Sequence, residues 1–337
     1  MNTLMTVKEL AKLANVSTAT ISLVLNEKEG VSDKKRREIE KLIAKTGYKL
    51  RHTPTKKKNK SLCFLKVVKS GYFVEQNAGF VSKIMDSVQT ECSNFGYNLN
   101  IVVAGNDLSK ALAEINGGNY DGVFVIGTEL DRDDFKYLDI LTLPYIVIDN
   151  SMPVYQCNSI TMNNEEMVYT VLKHLALCND PDFGYLHGLP EAVNFIERKN
   201  AVFTYAKEFN FDFNGDKMFL IDANVSGSYE SMLKIIRSGK RIPRILFADN
   251  DIVAIGAMKA LLESGYKIPD DIKIAGFDDI YLSSIASVPL TTMHVQRKMI
   301  GEIAAQTLIN HISNRFKSYS KIKIGGTLKI RKTTSLL

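Results

Sequence analysis

Residues Thr6–Asn26 read TVKELAKLANVSTATISLVLN, and their spacing predicts two short helices joined by a tight turn. Thr6-Val7-Lys8-Glu9 has the form of a capping box, with a threonine oxygen for the Glu9 amide and a glutamate reaching back. Val7, Leu10, Ala11 and Ala14 then recur at helical spacing as one apolar stripe. Asn15-Val16 supplies the turn, and Ser17 is a good N-cap for a second helix that buries Ile21, Val24 and Leu25. Ser32 is positioned to cap a third helix with Ile39, Leu42 and Ile43 inside and Gly47 beyond its C-cap. Helix, turn, helix and a third supporting helix form a helix-turn-helix unit.

Charge separates this unit from the rest. Of the chain's net +6, residues 1–61 carry +9, with fifteen Lys and Arg against six Asp and Glu, and the remainder of the 337 residues carries −3. A basic helical head on a near-neutral body points to nucleic acid. Other classes fall away. The N-terminus has no apolar core of a secretory signal and no uncharged apolar run is long enough for a membrane span, so a cytoplasmic location is expected. Cys63, Cys92, Cys157 and Cys178 form no C-x-x-C, which leaves neither a zinc site nor a redox pair. His52, His174, His187, His294 and His311 show no metal-ligand spacing. No phosphate-binding glycine loop and no nucleophile elbow occurs, so no catalytic residue, metal or cofactor is assigned.

The run Thr6–Asn26 resembles the headpiece of the lactose-repressor/galactose-repressor (LacI/GalR) family of bacterial transcription regulators. The resemblance implies that the second helix enters the major groove. Thr18, Ala19 and Leu23 would then face base edges, with Thr6, Ser17, Thr20, Ser22, Asn26 and Ser32 at or near the backbone. Leu23 stands where the family often has arginine. Arginine pairs twice with guanine, whereas leucine can only pack on a thymine methyl. Residues 49–61 form a basic linker. The family's hinge helix wedges a leucine into the minor groove, but here that window is Lys56-Lys57-Lys58, so phosphate contacts are expected in its place.

From residue 62 onwards, apolar runs alternate with amphipathic stretches. Strands are expected at Leu62–Val68, Leu99–Ala104, Gly122–Ile126, Tyr145–Ile148, Phe183–Leu186, Met218–Ile221, Ile245–Ala248 and Lys273–Gly276. This alternation predicts parallel sheets with helices on both faces, and the length predicts two lobes with a ligand cleft between them. The fold class is therefore an all-α helix-turn-helix headpiece, residues 1–48, and an α/β body, residues 62–337, of two doubly wound lobes.

The body also resembles the family, through Asp121–Thr128, Leu143–Asp149, Phe247–Gly256, Ile268–Asp279, Pro289–Thr292 and Leu328–Thr334. This likeness implies the fold of periplasmic sugar-binding proteins, with three crossings between lobes. They are expected near Met162–Asn163, Thr291–Met293 and Ser320–Lys321. The amino lobe would then comprise 62–162 and 293–320, and the carboxyl lobe 163–291 and 321–337.

Paired donors and acceptors at strand ends suit a hydroxyl-rich ligand. Asp149, Asn250 and Asp278 follow predicted strands, and Arg198 is expected to open a helix. By family position Arg198, Asn250 and Asp278 would hold an effector's hydroxyls, Asp149 would assist and Phe80 would be an apolar wall. Ala201-Val202, Ala223 and Val295 depart from the family pattern, and the loop Lys69–Gly79, with Tyr72 and Phe73, looks long. The expected function is a homodimeric regulator, not an enzyme, on a palindromic operator. A small molecule, foremost a carbohydrate, would control it. A protein co-repressor, and more remotely a sugar-processing enzyme with a DNA-binding head, are the alternatives.

Overall fold

The computed structural model describes residues 6–25, 30–46, 60–73, 79–105, 107–315 and 318–335. The chain divides into two compact units, Met1–Lys58 and Asn59–Leu337.

In the first unit, α1 (Val7–Leu13), α2 (Thr18–Leu25) and α3 (Asp33–Thr46) enclose Leu10, Ala11, Ile21, Val24 and Ile39. Leu25, Leu42 and Ile43, expected inside, are only half-buried, because three helices this short close over just one residue or two of each stripe. Gly47 lies outside the described residues, as does most of the linker.

The second unit holds two lobes. The amino lobe contains β1 (Ser61–Val67), α4 (Phe80–Asn94), β2 (Asn98–Ala104), α5 (Leu108–Gly117), β3 (Gly122–Ile126), β4 (Tyr145–Ile148) and β5 (Asn158–Met162). The chain then crosses to α6 (Asn164–Ala176), β6 (Phe183–Leu189), α7 (Val193–Tyr205), β7 (Met218–Asp222), α8 (Val225–Arg237), β8 (Ile245–Ala248), α9 (Asp251–Glu263), β9 (Lys273–Asp278), α10 (Tyr281–Ile285) and β10 (Thr291–Val295). It returns through α11 (Arg297–Ile312) and β11 (Lys321–Ile324) and ends on β12 (Gly326–Lys329).

Among the described residues each sheet has six strands, ordered β11-β5-β4-β3-β1-β2 and β12-β10-β9-β8-β6-β7. Every pairing is parallel except β10 with β12. Continuous apolar runs such as Val123–Ile126 and Ile245–Ala248 are buried, as strands covered on both faces require.

The first expected crossing, Met162–Asn163, lies where β5 ends. The other two need correction. β10 pairs with β9 in the carboxyl sheet, so the second crossing falls after Val295. β11 pairs with β5 in the amino sheet, so the third falls after Ile324. Of Leu328–Thr334, which resembles the family's final strand, only Leu328 and Lys329 lie in β12, and a 3₁₀ turn at Lys332–Thr334 follows.

Each sheet reverses its winding once, between β1 and β3 and between β6 and β8. Ligands in such sheets sit beyond the strand ends at these switch points. Here the loops after β1, β3, β6 and β8 meet from the two lobes.

Candidate ligand pocket and nucleic-acid interface

In the headpiece the caps form as their residue types dictate. The Thr6 hydroxyl accepts from the Glu9 amide at 3.3 Å, and the Glu9 carboxylate accepts from the Thr6 amide at 2.6 Å. The Thr6 amide first, and the Thr6 hydroxyl donating at 2.9 Å second, hold the Glu9 carboxyl below its ordinary range. Ser17 Oγ accepts from the Thr20 amide at 3.1 Å and meets the Thr20 hydroxyl at 2.9 Å. Of the residues expected to meet DNA, Thr6, Ser17, Thr18, Ala19, Ser22 and Ser32 are exposed, and Thr20 and Leu23 are half-buried. Asn26, Lys56, Lys57 and Lys58 lie outside the described residues.

In the body, Phe80, Asp149, Arg198, Asn250 and Asp278 all line one pocket between the lobes. Each arrives by a distinct local device. Phe80 is the first residue of α4, Asp149 follows β4, and Asp278 ends β9. Asn250 caps α9, its Oδ1 accepting from the Val253 amide at 2.9 Å. Asp149 and Asp278 have positive φ, 66° and 109°. Side chains rarely tolerate that region, and such strain is kept mostly at functional positions. Arg198 does not open a helix but sits within α7, which starts at Val193 behind Ala192, an N-cap with no side-chain bond.

The arginine is fully engaged. Its Nε donates to Asn164 Oδ1 at 2.9 Å, one terminal nitrogen donates to the Asp249 carbonyl, and the other lies 3.6 Å from an Asp278 oxygen. Its guanidinium stacks 3.7 Å from the Phe277 ring centroid. The Thr128 hydroxyl donates to Asp149, and Asn194 Nδ2 donates to both its carboxylate and its carbonyl, each at 3.1 Å. Burial, with the nearby Asp278 charge, pushes the Asp149 carboxyl up to about 7, against the pull of Thr128 and Arg198. Phe80 is less a bare wall than a platform, since the Arg297 guanidinium lies 5.5 Å from its centroid.

These contacts also clasp the two lobes. Asn194 of the carboxyl lobe holds Asp149 of the amino lobe. Arg297, on amino-lobe helix α11, donates to the Asp278 and Asp279 carbonyls at 2.7 and 3.0 Å. Phe73, after β1, packs edge-on against Phe195 with centroids 5.1 Å apart. The pocket that remains is about 20 Å³, room for about one water. Sequence reasoning missed Phe73, Thr128, Met162, Asn194 and Phe195 on its wall. For Phe73 alone a signal existed, the aromatic pair in an apparently long loop.

Behind Arg198, the Asp249 carboxylate accepts from Tyr185 and, at 2.8 Å, from the Gly188 amide, and bonds His187 Nδ1 at 2.7 Å. Burial pulls the His187 pKa down, but Asp249 first and Glu191 second outweigh it and raise it. Among the described residues no cluster of His, Cys, Asp and Glu is arranged to hold a metal.

Residues 6–50 match the family described as bacterial regulatory proteins, lacI family, and residues 173–334 match a periplasmic binding protein-like domain. The HTH-type transcriptional repressor PurR of Mannheimia succiniciproducens is 28% identical over 332 residues, 97% of this chain and 98% of its own. PurR of Haemophilus influenzae is likewise 28% identical, over 336 residues and the same shares. Two solved structures share the fold. The CelR–cellobiose complex has a TM-score of 0.73 at 19% identity, covering 98% of this chain and 99% of the other. A lac repressor dimer bound to operator and the anti-inducer ONPF has a TM-score of 0.70 at 21% identity, with the same coverage.

Proposed function

The chain belongs to the LacI/GalR family of DNA-binding transcriptional repressors, which are not enzymes, and from that premise we propose that it binds a palindromic operator as a homodimer under the control of a small molecule held between its lobes. The observation that carries the ligand half is the convergence of Phe80, Asp149, Arg198, Asn250 and Asp278 on one inter-lobe pocket. An arginine, two carboxyls and an amide beside an aromatic face suit a hydroxyl-bearing molecule, a sugar or a nucleoside-like compound carrying one.

The pocket in this state is filled by the protein's own groups, so the ligand enters only as the lobes part. Ligand affinity that differs between parted and clasped lobes is what would transmit the signal. At the DNA, Thr18, Ala19 and Leu23 would face bases, with Thr6, Ser17, Thr20, Ser22, Asn26 and Ser32 at the backbone and Lys56, Lys57 and Lys58 on phosphates. Operator contact places its work in the cytoplasm.

A selection of operators from random duplexes by the full-length protein tests the DNA half. It should return a palindrome, and sequence-independent binding would overturn that reading. Thermal melts against sugars, sugar phosphates, nucleosides and purines test the ligand half. One class should stabilise the protein, by about 2.7 kcal/mol at a hundredfold excess over Kd, and the shift should vanish in Arg198→Ala.

A further inference from the structure

Next to the central pocket, on the far side of Phe73, lies a chamber of about 570 Å³. That is within the ordinary size range of ligand sites, whereas the central pocket admits about one water. Both lobes wall it. Leu130, Phe135 and Val154 come from the amino lobe, and Ala192, Val193 and Ile196 from the carboxyl lobe. Val154 is 62% and Ile196 38% exposed, so two large aliphatic side chains are left uncovered across one cavity. Branched apolar surface is usually buried, and its retention inside a walled cleft points to an apolar occupant.

Most polar groups on the wall are already committed, the exposed Arg132 and Asn200 side chains being the exceptions. One Glu129 oxygen accepts from the amides of Lys69, Ser70 and Gly71 at 2.7, 2.6 and 3.2 Å, and the other from the Phe73 amide at 3.1 Å. The Lys69 ammonium is held by Asp131 at 2.6 Å and Asp134 at 2.9 Å. Glu191 accepts from Lys199 and bonds His187 at 2.9 Å. Past those two side chains, a sugar would find most of its hydroxyls facing hydrocarbon or saturated charges, at the cost of its hydration.

We propose that this chamber is a binding site for a compact, largely apolar, uncharged molecule of one or two aromatic rings, and that Phe73, the wall it shares with the polar pocket, senses its occupancy. The Glu129 carboxylate fixes the backbone of 69–73 so that the Phe73 ring stands between the two spaces, 5% exposed and edge-on to Phe195. Phe73 lines both spaces, and Arg198 and Asp278 line the inner one. The site is separate from the five residues of the functional reading, so either can fail alone.

The test uses the full-length protein with indole and 2-phenylethanol as probes and methyl glucoside as the polar control, followed by calorimetry and ligand-observed NMR. Both aromatic probes should saturate one site per chain below about 5 mM, and the glucoside should not compete. Val154→Asp and Ile196→Asp should each weaken the probes at least about tenfold, while Arg198→Ala leaves them within about threefold. The exposed positions of Val154 and Ile196 let both variants fold, which a melt checks. The chain has no tryptophan, so Phe73→Trp supplies a single reporter whose emission should shift on adding 2-phenylethanol, which does not emit in the indole band. Absence of saturable binding, or binding indifferent to Val154→Asp and Ile196→Asp, overturns the site. An unchanged emission with the probe bound overturns the sensing role of position 73.

Discussion

Asp149 is a buried acid that the fold makes expensive to ionise. Its carboxyl moves from an ordinary 3.8 to about 7, burial being the main cause and the like charge of Asp278 adding to it, with Thr128 and Arg198 working the other way. Between those two values the folded chain holds a proton that the unfolded chain has lost. Stability contributed at this residue is therefore present below about pH 4 and is lost as pH rises through about 7. Asp149→Asn keeps groups able to bond Thr128 and Asn194 and removes the titration. Melts from pH 4 to 8 should show a shallower decline in the variant, by at most about 4 kcal/mol across the window. An identical slope in both proteins would mean that Asp149 is ionised throughout. In the headpiece, Leu23 is half-buried on the helix expected in the major groove. Leu23→Arg should shift the selected operator toward guanine opposite that position, by about 1–3 kcal/mol of discrimination. An unchanged motif would remove Leu23 from the base-reading set.

At the scale of elements, what the sequence disclosed followed burial and local chemistry. Val123–Ile126 and Ile245–Ala248 were legible because a strand covered on both faces needs a continuous apolar run. The Thr6 and Ser17 caps were legible because one side chain satisfies one amide three residues away. β5, NSITM, is fully buried yet polar in three of its five positions, and so carries no apolar run. β11, KIKI, and β12, GTLK, lie at sheet edges and are short, so their lobes are set by partners far along the chain. The five pocket residues were legible from strand ends and family position. The Phe73 wall was not, because it depends on a Glu129 carboxylate 56 residues away. Packing of α8 on α9 gives an element-scale prediction. A Cβ at Gly256 would stand 1.8 Å from Ser228 Oγ and 2.8 Å from the Tyr229 amide nitrogen. The hydroxyl could turn aside, but the backbone atom cannot. Gly256→Ala should cost about 1–3 kcal/mol in a denaturant melt, despite alanine's better helix propensity. A stabilised variant would show that the two helices have slack.

For the whole molecule, the proposed homodimer needs a face that a monomer would not leave bare. α10 supplies one. Tyr281 is 69%, Leu282 38% and Ile285 58% exposed, so three of the five residues in this helix present large apolar surface to solvent. Elsewhere on the body, edge strand β2 carries exposed Ile101 and Val103, and edge strand β7 carries exposed Leu220. Contiguous exposed apolar surface such as that on α10 marks an interaction site. Tyr281→Asp with Ile285→Asp places two charges on α10 while leaving Ser283, the buried residue of that helix, in place. The double variant should sediment as a monomer and melt as a folded body. Its operator affinity should fall by orders of magnitude, because the second half-site contact no longer benefits from the effective concentration that dimerisation provides. The decisive readout is the salt slope. If each headpiece neutralises its own set of phosphates, the slope of log affinity against log salt should drop to about half when one head replaces two. A monomer that keeps the full slope would mean that the basic linker of a single chain already spans the operator.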